Sequence, residues 1–89
     1  MPPTTLHNAC RDGDTERARQ ELNAIPVDKK DENGMTALMV ASEKGHVDVV
    51  RALVELGADV AQAKPDGMTA LMLASEKGHE AVAQFLRDH

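Results

Sequence analysis

GMTALM at Gly34–Met39 returns unchanged at Gly67–Met72, and ASEKGH at Ala41–His46 returns at Ala74–His79, both 33 residues further on. Laid over one another, Asn33–Leu56 and Asp66–His89 agree at 14 of 24 positions, too many and too clustered for coincidence. A fixed period of this length marks an architecture built by stacking one supersecondary unit on the next. A fainter copy lies upstream, where Leu6, Ala9 and Gly13 align with Leu38, Ala41 and Gly45 at an offset of 32. One residue is missing after Gly13, and Val27 then aligns with Val60 at 33, so the first unit is a shortened version without a leading turn.

Within a unit the spacing predicts two helices. Thr36, repeated as Thr69 and Thr4, suits the N-cap of a first helix, because its hydroxyl accepts from a free amide of the first turn. Gly45, repeated as Gly78 and Gly13, falls where a helix of about two turns would end in a left-handed residue. A second helix follows, its apolar face marked by Val47, Val50, Leu53 and Val54 at three- and four-residue spacing, with Gly57 beyond its end. Pro65, Asp66 and Gly67 bring turn chemistry between one unit's second helix and the next unit's first, and Lys29–Met35 is expected to do the same. A two-helix unit of this size cannot bury its apolar face alone. The expected fold is therefore all-α, a solenoid of stacked helix-turn-helix units joined by extended β-turn connections.

These stretches read NGMTALMVASEKGH, VDVVRALVELGADVA and DGMTALMLASEKGH, and in period, order and spacing the chain resembles the ankyrin repeat family. The resemblance covers essentially the whole chain and implies one domain over residues 1–89. Residues 1–30 would form a shortened N-terminal capping repeat, 31–63 a full repeat and 64–89 a C-terminal capping repeat. In the last unit Glu80, Gln84 and Arg87 replace Val47, Arg51 and Val54, which suits an outer face left in water. Asp14, Glu16, Arg17, Arg19 and Glu21 crowd the second helix of the first unit in the same way. There are departures from the family's pattern. TALM stands at Thr36–Met39 and Thr69–Met72 where the family has T-P-L-H, and Ala61 replaces the Asn of G-A-D-V-N. Met39 and Met72 are expected to fill core or inter-repeat space with flexible apolar volume, making the repeat contacts looser, and Ala61 to weaken its turn.

Eighty-nine residues, 42% hydrophobic and 28% charged, suit one small folded domain and exclude a multi-domain enzyme. Phe85 is the sole aromatic side chain, so Leu, Val, Ala and Met must build the core. The formal charge of −5 and the lack of stacking platforms oppose nucleic acid as a ligand. No apolar run reaches the roughly 18 residues of a membrane span. Met1–Cys10 has no signal-peptide pattern, and the lone Cys10 fits a reducing compartment, so a cytoplasmic location is expected.

Chemistry finds little support. His46 and His79 stand one repeat apart, where packed helices lie about 8–10 Å from each other, too far to share a zinc whose ligands sit at about 2 Å. Helix-end and inter-repeat hydrogen bonding is the expected use of both, and no metal or cofactor is expected. Cys10 and His7 lie three apart and could face each other as nucleophile and base, but nothing accompanies them as orienting group or oxyanion donor. Cys10 takes the place of Ser42 and Ser75, a small buried site in the resembling family. No phosphate-binding glycine motif occurs, and the chain is read as having no enzymatic activity.

The resemblance implies protein binding through a concave groove of turn tips and first helices. Carried onto this chain, the surface comprises Glu32, Asn33, Met35, Pro65, Asp66 and Met68 at the tips. At the helix ends it adds the pairs Arg11 and Asp12, Glu43 and Lys44, and Glu76 and Lys77. Met35 and Met68, just before a first helix, are expected to point into the groove. The partner expected is another protein. The alternative is a self-associating, repeat-exchanged oligomer, because so short an array has little stacking area of its own.

Overall fold

The computed structural model describes residues 10–21, 27–31 and 33–88. Five helices follow in order: α1 (Thr15–Glu21), α2 (Ala37–Lys44), α3 (Val47–Glu55), α4 (Ala70–Glu76) and α5 (Glu80–Arg87). Cys10–Asp12 are helical residues leading into the turn at Gly13. Among the described residues there is no strand, and the extended connections supply a single antiparallel bridge, Ala63 to Thr69.

The helices begin and end for the reasons the repeat suggested. The Thr36 and Thr69 hydroxyls accept from the Met39 and Met72 amides at 3.3 Å, with both threonines in extended backbone. Thr4 lies outside the described residues. Met39 does more than fill space, since its sulfur accepts from the Thr36 amide at 3.4 Å and closes a reciprocal capping box. Gly45 ends α2 in the left-handed region at φ 79°, where a side chain would be strained.

First helices stack on first helices, α2 against α4, and second helices form a second row, α1 against α3 and α3 against α5. Between the rows lies one core in which Leu38, Met39, Val49, Val50, Leu53 and Val82 are almost wholly removed from water. Arg51 lies 5.9 Å from the Phe85 ring centroid, a cation–π contact of about 0.5–1 kcal/mol between successive second helices. The Arg19–Glu55 ion pair at 3.8 Å, exposed on both sides, adds little.

The His46 and His79 rings bridge successive units by hydrogen bonds, the use expected of them. The Ala61 turn has an anchor. The Asp59 carboxylate accepts from the Ala61 amide at 2.9 Å, and Asp28 of the preceding unit accepts from the Asp59 amide at 2.9 Å.

Met39 and Met72 also diverge. Met39 is 1% exposed and belongs to the core, while Met72, in the same hexapeptide, is 50% exposed. Similarly, Ser42 is buried with its hydroxyl donating to the Leu38 carbonyl at 2.6 Å, whereas Ser75 is exposed. The difference is positional: a third unit covers the second, and nothing in the described chain covers the third.

Candidate functional site

The turn tips are built by carboxylates. In the second unit Asp31 accepts at Oδ1 from the Asn33 and Met35 amides, both at 2.9 Å, and its own amide donates to the Met35 carbonyl at 2.8 Å. In the third unit Lys64 takes the place of Asp31, its amide donating to the Met68 carbonyl at 2.9 Å, and the carboxylate role moves to Asp66, which accepts from the Met68 amide at 3.0 Å. That bond, helped by the Lys64 ammonium 3.5 Å away, holds the Asp66 carboxyl below the usual carboxylate range against an opposing loss of hydration. The two tips are adjacent, because Pro65 of one packs on Gly34 of the other so closely that a Cβ at Gly34 would lie 2.6 Å from the proline ring.

Asn33, Pro65 and Asp66 are exposed at the tips, and Met68 is half-buried. Met35 is only 9% exposed and belongs to the core, so it offers a partner almost nothing. Its turn and the Met68 turn share one backbone pattern, the Asp31 and Lys64 amides donating to the Met35 and Met68 carbonyls at 2.8 and 2.9 Å, so the difference in burial follows from position in the stack. At the helix ends Arg11, Asp12, Lys44, Glu76 and Lys77 are exposed, and Glu43 is half-buried. Glu32 lies outside the described residues. Asp31 and Lys64 were absent from the sequence-derived surface, although the Asp two residues before Asn33 is a recognisable turn signal.

The histidines have a structural use. The His46 Nε2 lies 2.9 Å from the Arg11 carbonyl, and the His79 Nε2 lies 2.9 Å from the Glu43 carbonyl. A carbonyl only accepts, so each ring donates from Nε2. Each histidine is the N-cap of its own second helix and makes no side-chain bond to it, turning its ring to the preceding unit instead. Asp14, in the same place in the first unit, keeps its side chain home and accepts from the Arg17 amide at 3.1 Å. Among the described residues, no three His, Cys, Asp or Glu side chains are grouped to hold a metal ion.

His7 lies outside the described residues. Cys10 is wholly buried, and loss of hydration pushes its thiol up to about 12 from an ordinary 9.0. A nucleophilic cysteine needs the opposite environment. Because the folded value is raised, burial of the neutral thiol contributes its full stability below pH 9.0, and this contribution falls away between pH 9.0 and about 12. A disulfide reagent at pH 8 should therefore label native protein at least about a hundredfold more slowly than the urea-unfolded chain, and Cys10→Ser should lessen the loss of stability between pH 8 and 10. Equal labelling rates in the two states would refute the buried placement.

Among the described residues, no helix is long and apolar enough to cross a membrane. The family pattern "Ankyrin repeats (3 copies)" matches residues 6–89. Ankyrin repeat domain-containing protein 29 of Danio rerio is 46% identical over 54 residues, and its Homo sapiens counterpart is 44% identical over 54, each match spanning 58% of this chain and 18% of the relative. Acyl-CoA-binding domain-containing protein 2 of Arabidopsis thaliana is 34% identical over 55 residues, spanning 61% of this chain and 16% of the relative. The chain thus spans under a fifth of the length of these curated relatives.

Proposed function

The chain belongs to the ankyrin repeat family, whose repeats are in general protein–protein interaction modules, and from that premise we propose that it binds a protein partner along its turn tips and first-helix ends. The observation that supports this reading is the recurrence, one repeat apart, of exposed polar side chains at the tips and first-helix ends. Asn33 and Asp66 sit at successive tips, and Arg11 with Asp12, Lys44, and Glu76 with Lys77 sit at successive first-helix ends. A ladder spaced by a rigid stack presents its groups preorganised, which lowers the entropy cost of association. Glu43, Pro65 and Met68 fill the intervals, with Glu32 taken as the remaining tip residue. Met35 is withdrawn from the contact set and kept as support beneath the tip.

The same reading treats residues 1–30, 31–63 and 64–89 as one domain of three repeats, the first shortened, working in the cytoplasm on a partner that is neither nucleic acid nor membrane, without catalysis or a cofactor. The test is a pull-down from the source cell with wild type and with Lys44→Glu/Lys77→Glu, followed by titration of the recovered protein. The double reversal should weaken binding at least about tenfold with an unchanged melting temperature, and more at low salt than at high. Undiminished recovery by the folded variant would move the contact off this surface.

A further inference from the structure

Asn33 is followed by a glycine that the fold itself requires. Gly34 holds φ 80°, in the left-handed region, and a Cβ there would lie 2.6 Å from the Pro65 ring of the next tip. Asn33 is exposed, and among the described residues its carboxamide has no hydrogen-bond partner. Only its backbone amide is held, by the Asp31 carboxylate at 2.9 Å. The other asparagines of the chain, Asn8 and Asn23, both precede alanine. Asparagine is chemically labile because its side-chain carbonyl carbon can close a five-membered ring with the backbone nitrogen of the next residue. Glycine, without a Cβ, leaves that nitrogen least hindered.

We propose that Asn33 is a site of spontaneous hydrolytic modification, with water as the co-reactant, and that Asp31 governs its rate. The Gly34 nitrogen bonds to the Asn33 side-chain carbonyl carbon, the carbon–nitrogen bond of the carboxamide breaks, and ammonia leaves with the Gly34 amide proton. Water then adds to either carbonyl of the cyclic imide and opens it to an aspartyl or isoaspartyl residue at position 33. In the closed tip the Gly34 amide donates to the Asp31 carbonyl at 3.0 Å, so the attacking nitrogen is engaged and reaction proceeds through openings of the tip. The Asp31 carboxylate limits those openings, since one oxygen accepts from the Asn33 and Met35 amides together.

The third unit shows what the aspartyl product would lack. Asp66, one period after Asn33, already places a carboxylate here, accepting from the Met68 amide with the Lys64 ammonium 3.5 Å away. In the second unit the residue matching Lys64 is Asp31, so the new carboxylate meets a like charge and finds the Met35 amide already taken. The isoaspartyl product adds a backbone carbon to the turn and shifts Gly34 from its place against Pro65. Either product adds a negative charge to the row of tips and loosens the contact between two of them, giving the surface a slow, irreversible change of charge with age. This chemistry belongs to the chain alone and stands whether or not the tips bind a partner.

The test ages the native protein in mildly alkaline buffer beside a urea-unfolded sample and follows each asparagine by peptide mapping that resolves isoaspartate. Conversion in the native sample is expected at Asn33 ahead of Asn8 and Asn23, and more slowly than at Asn33 in urea. Asp31→Ala removes two hydrogen bonds from the tip and should speed native conversion about tenfold. Asp31→Asn, whose side-chain oxygen still accepts, should stay within about twofold of wild type. Native conversion at Asn33 no faster than at Asn8 and Asn23 overturns the proposal, as does an unchanged rate in folded Asp31→Ala. Should Asp31→Ala fail to fold, the wild type decides. Its ratio of native to unfolded conversion should match the open fraction read from hydrogen exchange of the Gly34 amide, and a ratio independent of that opening overturns the proposal equally.

Discussion

Gly45→Ala should destabilise the protein by about 2–5 kcal/mol, and Gly78→Ala by only about 1–2. Both glycines hold φ 79°, so both substitutions force a side chain into the left-handed region at about 1–2 kcal/mol. Only Gly45 has something in the way. The new methyl would lie 2.6 Å from Nδ1 and 2.8 Å from Cε1 of His79, and the ring cannot withdraw without losing its bond to the Glu43 carbonyl. Overpacking of this kind costs about a further 1–3 kcal/mol. The pair therefore isolates the inter-repeat contact from backbone strain. Urea unfolding of the two variants measures it, and a His79→Ala background should remove most of the extra cost at Gly45 while leaving Gly78→Ala nearly unchanged. Equal losses at both sites would mean that the imidazole does not seat on glycine in solution.

The same two positions show where the sequence was sufficient and where it was not. Helix ends were legible because they depend on nearby residues: a threonine hydroxyl three residues from an amide, or a glycine at a left-handed turn. So was the inter-repeat hydrogen bonding of His46 and His79, because the period places each ring at the preceding unit. Burial was not legible. Met39 and Met72 lie in identical hexapeptides, yet one is in the core and the other is half exposed, because their environment comes from the unit stacked above and not from the flanking chain. Met35 failed for a related reason. Its turn has the same backbone bonds as the Met68 turn, the Asp31 and Lys64 amides donating to the Met35 and Met68 carbonyls, yet Met35 is in the core and Met68 only half-buried. The identity of the tip residues could be read, but not which tip the stack covers.

Leu53→Ala should cost about 3–5 kcal/mol, and Leu86→Ala, at the equivalent place one period later, distinctly less, near 2. Both leucines are buried, Leu53 completely and Leu86 at 5% exposure, so lost transfer energy differs little between them. The difference lies in what each supports. Leu53 is on α3, which packs against α1 on one side and α5 on the other, as well as against its own first helix, α2. Leu86 is on α5, whose outer side faces water in the described chain. In a stacked array the stability is roughly a sum of unit terms and nearest-neighbour terms, so a defect in the middle unit weakens two interfaces and one at the end weakens one. A domain of this size has about 5–13 kcal/mol in all, so the loss at Leu53 is a large part of the total. Hydrogen exchange distinguishes the two cases. Leu53→Ala should accelerate exchange in α2 through α5 together, whereas Leu86→Ala should confine the acceleration to α4 and α5 and leave α2 protected. Matching patterns in both variants would show that the three units unfold as one indivisible body, and that the coupling runs through more than the contacts between adjacent rows.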